Sequence, residues 1–429
     1  MLAAGCGGGQ GAKESPSGQP AGSEQPSNQP AKKDPITLVF YNAGSNFNAE
    51  GYFEEKFGSY IRAKFPHITP EFIPTTAGSL DKLIVAGEQV DVIWGSVGTS
   101  YNSVFLNNLV YDIEPYVKKY KVDLNRFEPR ALEMMRQMSD GKLYALPFDN
   151  QAAVVYYNKD LFDKFGVPYP TNVKTWDDLY DLSVKLTRNE GGVQYYGLTL
   201  SPNHYFLRNQ LSVNLVDPAT HKVNLNNDQV KVLLENVLRF YRIPGFDPKS
   251  VNVSVQKNLF LKDKVAAMWT PISGLHVEND LKDLNWDIIP VPPMKEAPGL
   301  APQPYATYVY LSVTSKHKDD AFQVIDYLTS EEFLIEKAKQ ATFLPALNSA
   351  KVMAAFGQDA PMYKGKNVQA IPMSNMAAPS PQSKYFSWAT AEVGVNAINA
   401  IILEGKDINT ALREAEEAVT KRIAEDKAK

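Results

Sequence analysis

Residues 36–41 read Ile-Thr-Leu-Val-Phe-Tyr, and the polar turn Asn42-Ala43-Gly44-Ser45 follows at once. An apolar run this short, rich in β-branched and aromatic side chains, predicts a buried strand. Residues 50–65 then place Phe53, Phe57, Ile61 and Phe65 at near-helical spacing, so a helix with one apolar face is expected. Residues 68–73 predict a second strand, residues 80–86 a short helix, and Asp91-Val92-Ile93-Trp94 a third strand. Strand–helix–strand–helix order with buried strands predicts an α/β fold, a parallel sheet covered by helices. Ligands of such sheets meet the carboxyl ends of the strands, which here are residues 42–45 and 94–96.

The pattern repeats further along. Gly141-Lys142-Leu143-Tyr144-Ala145-Leu146-Pro147 leads into a strand at 154–157 and a helix at 159–165, and Pro168, Pro170 and Thr171 break the chain. Thr175-Trp176-Asp177-Asp178 opens another helix. Its paired acids could serve general acid/base chemistry, but Thr175 and Asp178 have capping-box spacing, and acids favour a helix N-terminus. Thr329 and Glu332 share that spacing, while Glu54-Glu55 and Asp319-Asp320 also lie near helix starts, so capping is the expected role of all four pairs. A strand at 197–200 precedes the polar-aromatic segment Ser201-Pro202-Asn203-His204-Tyr205-Phe206. A helix at 226–240 and strands at 265–269, 286–290 and 308–313 come next. Helices at 319–328, 330–339, 385–403 and 408–424 complete the reading.

A length of 429 residues argues for two or three domains, and 44 Lys plus Arg against 48 Asp plus Glu leave a net charge of −4. No basic excess exists to displace counterions from a polyanion, so nucleic acid is excluded as a partner bound through bulk charge. Cys6 is the single cysteine, which rules out internal disulfides and Cys-rich zinc sites. It follows Ala3-Ala4-Gly5, which resembles the end of a bacterial lipoprotein signal, where the cysteine is lipidated and becomes the mature N-terminus. Leu2 stands four residues before Cys6, whereas such signals prefer Leu three before, and a chance match is the alternative. Residues 7–30 carry only Ala12 and Ala21 as apolar side chains, so a disordered tether is expected over residues 1–35. Within it, Gly7-Gly8-Gly9-Gln10-Gly11-Ala12 matches a dinucleotide fingerprint with neither a strand before it nor a helix after it, and carries no weight.

Catalytic signatures are scarce. His67, His204, His221, His276 and His317 are scattered without an HxxxH pair, and GxSxG, Walker A and EF-hand patterns are missing from the sequence. No metal and no cofactor are expected. What recurs is an aromatic residue at an expected strand end or domain junction: Trp94, Phe148, Tyr205, Trp269 and Trp388. Flat aromatic faces with a few polar groups suit a sugar ring, although each such residue alone is more often part of a core.

The stretches AGEQVDVIWGS (86–96), GKLYALPFDNQAAVVYYNKDLF (141–162), KTWDDL (174–179), DKVAAMW (263–269) and NWDIIPVP (285–292) make a recognisable set. YVYLSVTSKHKDDAFQVIDYLTSEE (308–332), FLPA (343–346) and AINAIILEGKDINTALREAEEAVTKRI (397–423) extend it. In this order, from about residue 36 to the end, the chain resembles the family 1 extracellular solute-binding proteins of bacterial ABC importers, in the carbohydrate group that includes maltose-binding protein. The resemblance implies a two-lobed periplasmic-binding-protein fold (type II, Venus-flytrap) with hinge strands and C-terminal helices. Lobe one would be residues 36–148 with 302–345, and lobe two 149–301 with 346–429. It implies a monomer without catalytic activity. Such a protein sits on the extracellular face of the cell membrane through the Cys6 lipid alone, or in the periplasm of a Gram-negative host, and delivers a carbohydrate to ABC permease subunits. The ligand positions it implies are Asn42, Ser45, Trp94, Asp149, Gln151, His204, Tyr205, Trp269 and Trp388. Maltose-type relatives carry a carboxylate where Gln151 stands, which argues against maltose itself. A polyamine, peptide or oxyanion on the same scaffold is the alternative, and a surface glycosidase, which needs two facing carboxylates, a more distant one. No Arg is among the implied cleft positions, which weighs against an oxyanion.

Because residues 7–30 offer almost nothing to pack, deleting residues 1–33 is expected to leave the thermal midpoint unchanged. A differential scanning calorimetry run showing a drop of several degrees would contradict this.

Overall fold

The computed structural model describes residues 33–44, 47–151, 153–271, 281–371, 375–380 and 382–428, together with Gly5, Gly7 and Gly8. Residues 1–35 and residues 36–429 form separate compact units. Among the described residues no helix is long and apolar enough to cross a membrane.

Ten strands form two sheets. They are β1 (Ile36–Asn42), β2 (Ile68–Ile73), β3 (Val92–Ser96), β4 (Ala145–Asn150), β5 (Val154–Asn158), β6 (Arg188–Glu190), β7 (Val193–Leu200), β8 (Ala266–Thr270), β9 (Trp286–Pro290) and β10 (Ala306–Leu311). Sheet one has the order β2-β1-β3-β10-β4, and sheet two the order β6-β7-β8-β5-β9. This is the α/β class that the sequence pattern predicts, in the two-lobed form that the resemblance implies. The sheets are mixed, which corrects the expectation of purely parallel ones: β1–β2, β1–β3 and β7–β8 are parallel, whereas β10 runs antiparallel to both β3 and β4, and β5 antiparallel to β8 and β9. The physical reason is connectivity. A strand that re-enters a sheet from the other half of the molecule arrives from the opposite end, and no crossover helix is needed to reverse it.

The core of sheet one is aromatic. The helical stretch that includes Glu54–Gly58, a π-type turn, and Ser59–Lys64 lays Phe53 and Phe57 against the sheet, with ring centroids 5.3 Å from Phe40 and 5.2 Å from Trp94, respectively. In sheet two the helix Trp176–Leu186 crosses β7 so closely that a Cβ on Gly197 would stand 2.2 Å from the Ser183 carbonyl oxygen. Thr175 and Asp178 form the expected capping box of that helix. At the other expected box the cap belongs to Ser330, whose hydroxyl accepts from Phe333 N–H, while Thr329 closes the preceding helix by donating to Ile325 O. One position thus separates the true cap from the one that the spacing suggests. The 385–403 stretch is helical as Phe386–Ala391, a π-type Glu392–Ala397 and Ile398–Ile402, and it packs on the Pro202–Leu207 and Asp228–Tyr241 helices.

The chain passes between the sheets side by side at three places. Residues 151–153 join β4 to β5, residues 302–305 lead back into β10, and residues 343–347 lie against the end of β4, with Asp149 bridged to Pro345 and Asn150 N–H donating to Leu344 O (2.8 Å). The helix Ala350–Ala355 then packs on the Glu331–Lys339 helix, and the helical stretch from Phe386 to Ile402 lies over the Pro202–Leu207 and Asp228–Tyr241 helices of the sheet-two half.

Gly197→Ala is expected to destabilise the protein by about 3 kcal/mol or more, because rigid backbone, rather than a movable side chain, meets the added methyl. Urea unfolding of the variant beside the parent protein checks it.

Candidate functional site

Where the strands of sheet two end, their next residues converge. Ser201 follows β7, Thr270 ends β8 and Pro271 follows it, Val291 follows β9, and Ala153 precedes β5; all of them line one small cavity, about 30 Å³ in volume. The helix Pro202–Leu207 starts at Ser201 and contributes His204 and Tyr205, with Arg208 just beyond it. Trp176 closes the far wall. Its indole N–H donates to Gln210 Oε1 (3.2 Å), and Gln210 Nε2 donates to the Pro292 and Leu300 carbonyls (3.1 and 2.7 Å), which ties down the β9–β10 connection. Larger grooves (≈ 440 and ≈ 450 Å³) run along the Asp228–Tyr241 helix outside Trp176, but they are open surface that strand ends do not feed.

Tyr305 joins this cavity to sheet one. Its hydroxyl lies 3.2 Å from Ser96 Oγ at the carboxyl end of β3, while its ring centroid is 5.7 Å from that of His204 and 5.9 Å from the Arg208 guanidinium carbon. The approach at sheet one is tight: a Cβ on Gly98 would stand 2.5 Å from the Tyr305 hydroxyl and 3.8 Å from Leu207 Cδ2.

Electrostatics set the protonation states. His204 Nδ1 pairs with Ser201 Oγ at 2.8 Å, and burial together with the neighbouring Arg208 charge lowers the imidazole to about 4. At neutral pH the ring is therefore uncharged. Burial also lowers Arg208, to about 10, so it remains a cation; its Nε donates to the Gln303 carbonyl at 3.2 Å. Burial raises both Tyr205 and Tyr305, so both phenols stay neutral. Tyr205 accepts from Asn236 Nδ2 (3.0 Å) and stacks edge-on to Trp176. The wall combines flat rings, one fixed neutral imidazole and one cation, and polar groups of this kind fix the orientation of a small polar solute.

The expected ligand positions divide. His204 and Tyr205 line the cavity, and Gln151, whose N–H donates to Tyr305 O (2.9 Å), lies beside it on the first crossing. Asp149 is buried one strand away: Thr307 hydrogen-bonds its carboxyl, its Oδ1 has no partner, and burial raises it to about 7. Asn42 ends β1 with its Oδ1 accepting the Gly44 N–H (2.9 Å). Ser45 and Cys6 lie outside the described residues.

The three tryptophans do not present the open faces that were expected. Trp94 is 0% exposed, enclosed by Phe40, Phe47, Phe57 and Phe148, because its side chain projects onto the helix-covered face of sheet one. Trp269 packs against Tyr156 and Phe260 in sheet two, and the next residue, Thr270, takes the cavity position. Trp388 is half-buried away from the cavity, with the Arg422 guanidinium 3.9 Å over its ring. Sequence reasoning put Ser96 at a strand end that faces ligands without naming it as a contact, and missed Trp176, Arg208 and Tyr305. Arg208 stands four residues after His204 on the same short helical segment, and that spacing was the available signal.

A family model for bacterial extracellular solute-binding proteins matches residues 46–333. A binding protein of Brucella abortus is 26% identical over 336 residues, 72% of this chain and 75% of that one. Among solved structures, an ABC substrate-binding protein from Listeria monocytogenes in complex with cycloalternan is 19% identical, with a TM-score of 0.74 over 91% of this chain and 100% of that one. The sugar-binding protein MalE of Xanthomonas citri is 20% identical, with a TM-score of 0.71 over 91% and 98%. At these identities the structural likeness speaks for the fold.

The depressed His204 has a measurable sign. Its folded value lies below the unfolded one near 6.5, so the unfolded chain takes up the proton first. Stability is therefore lost as pH falls from about 6.5 towards 4, by about 3 kcal/mol at most. His204→Gln is expected to lose less over that window, as read by chemical denaturation at a series of pH values; identical slopes would contradict the assignment.

Proposed function

The chain belongs to the family of bacterial extracellular solute-binding proteins, and on that premise we propose that it captures a sugar or oligosaccharide between two lobes and hands it to an ABC permease. The lobes are residues 36–148 with 302–345, and 149–301 with 346–429, a division favoured by the membership of the two sheets. The observation that carries the reading is the cavity at the strand ends of sheet two, with Tyr305 reaching from its rim to the carboxyl end of β3. A ligand that touches both sides stabilises the closed arrangement and shifts the population towards it. His204, Tyr205 and Gln151 supply the polar and aromatic contacts, and the ligand leaves unchanged. Cys6 carries the lipid, residues 7–35 are the leash, and the protein works as a monomer.

Arg208 favours a second reading. A buried cation in the cavity wall suits a solute bearing a carboxylate or phosphate, such as a sugar acid, in place of a neutral sugar.

A thermal-shift screen of neutral sugars, oligosaccharides, sugar acids and sugar phosphates separates the two. A ligand at a hundred times its dissociation constant adds about 2.7 kcal/mol and raises the melting point visibly. With the best hit, His204→Ala is expected to weaken binding about tenfold in isothermal calorimetry while the unliganded melt stays near that of the parent. Unaltered affinity would remove His204 from the site.

A further inference from the structure

One pair of side chains separates the cavity from both outer grooves. Trp176 lines the cavity and also the groove of ≈ 440 Å³, and Gln210 lines the cavity and also the groove of ≈ 450 Å³. The two grooves meet at Val232 and Glu296. The bond from the indole N–H to Gln210 Oε1 (3.2 Å) joins the pair, and both side chains are buried, so they form a closed septum. The septum is braced. Trp176 opens its helix beside the Thr175–Asp178 capping box, and its ring stands edge-on to Tyr205 and Phe240 (centroids 5.5 and 6.0 Å). The Asp177 carboxylate accepts from Arg239, Arg239 Nη2 donates to Asn236 Oδ1 (2.7 Å), and Asn236 donates to the Tyr205 hydroxyl, which ties the residue after Trp176 to the ring that Trp176 packs on. Gln210 holds the Pro292 and Leu300 carbonyls from the other side. Moving either side chain would orphan buried polar groups, so this wall resists displacement.

At about 30 Å³ the cavity has room for a water or two and none for a sugar ring, so a solute must gain space from a wall that yields. His204 and Arg208 offer one: they face Tyr305, which the capture reading gives to the other lobe. We propose that the Trp176–Gln210 septum is an end-stop that makes this protein a reader of chain ends. One terminal unit of a carbohydrate is buried against the indole, and the rest of the solute leaves on the Tyr305 side. This rests on the capture reading above. The substrate class follows from it: a monosaccharide, or a linear oligosaccharide whose buried terminus is free. A chain continued past that unit, or a cyclic oligosaccharide without ends, meets the indole and is refused.

Isothermal calorimetry on the full chain tests this with the best linear hit of the sugar screen, that hit lengthened by one unit at its reducing end or at its non-reducing end, and a cyclic oligosaccharide of the same units. In the parent, lengthening at the buried end is expected to weaken binding about a hundredfold or more, and in Trp176→Ala, where the cavity joins the ≈ 440 Å³ groove, by less than about tenfold. A penalty at one end that Trp176→Ala relieves supports the end-stop. Tolerance of both extensions by the parent, binding of the cyclic sugar, or a penalty that persists in Trp176→Ala overturns it. An indole of merely structural value would weaken all of these probes alike and relieve nothing. Gln210→Ala opens the same end onto the ≈ 450 Å³ groove and gives the same reading if Trp176→Ala does not fold. A screen in which no carbohydrate raises the melting point sinks sugar capture itself. A crystal structure of Trp176→Ala then judges the septum: a continuous passage from Ser201 to Glu296 keeps it as the partition, and neighbours collapsed into the gap overturn it.

Discussion

Where the chain passes between the two sheets, a single buried residue is hydrogen-bonded to both neighbouring crossings. Asn150 donates its backbone N–H to Leu344 O and accepts the Tyr305 N–H through its side-chain Oδ1 (3.0 Å). At this point sheet one has ended and sheet two has not begun, so a backbone group has no ladder partner, and a buried orphan costs about 1–3 kcal/mol. A side chain that mimics the peptide group supplies the missing acceptor. The position of Tyr305 follows, and with it the placing of its ring between Ser96 and His204. The cavity thus inherits its shape from a hydrogen-bonding requirement several residues away.

The same burial governs charge. Burial and the Arg208 charge make His204 shed its proton, Tyr205 and Tyr305 hold theirs, and among the described residues Arg208 alone remains a full charge in the cavity wall at neutral pH. Hydrogen bonds to hydroxyl groups are stronger in such a setting than in water, because the competing solvent is thin and the local dielectric low. A wall like this discriminates by geometry: a solute that leaves the imidazole or the guanidinium badly met pays for it in full.

Much of the fold was legible because its strands are apolar runs bounded by turns. Residues 36–41, 154–157 and 286–290 needed only their neighbours to be read, and the structure moves their ends by a residue at most. Strand direction was not legible. Residues 308–313 look the same whether they enter a sheet from one end or the other, and only the crossing at 302–305 fixes β10 antiparallel to β3. The site was half legible for a related reason. His204 and Tyr205 follow a strand end directly and land in the cavity, whereas a tryptophan inside a strand faces one side or the other of the sheet. Trp94 and Trp269 both point into the core, a choice set by which face the helices cover. The helices at 129–138 and 253–261 passed unread between stronger signals, although the first is visibly amphipathic in the structure, with Ala131, Met134, Met135 and Met138 buried.

Gly98 turns a missing atom into a working part. Its backbone lies where the Tyr305 hydroxyl and Leu207 come within reach, and any side chain there would force Tyr305 off Ser96. The penalty would fall on the Tyr305–Ser96 contact, while the strand that precedes it is untouched. This stretch of chain thus meets two separate demands: β3 must be apolar to exist, while Gly98, two residues past its end, must be almost nothing at all for Tyr305 to reach Ser96.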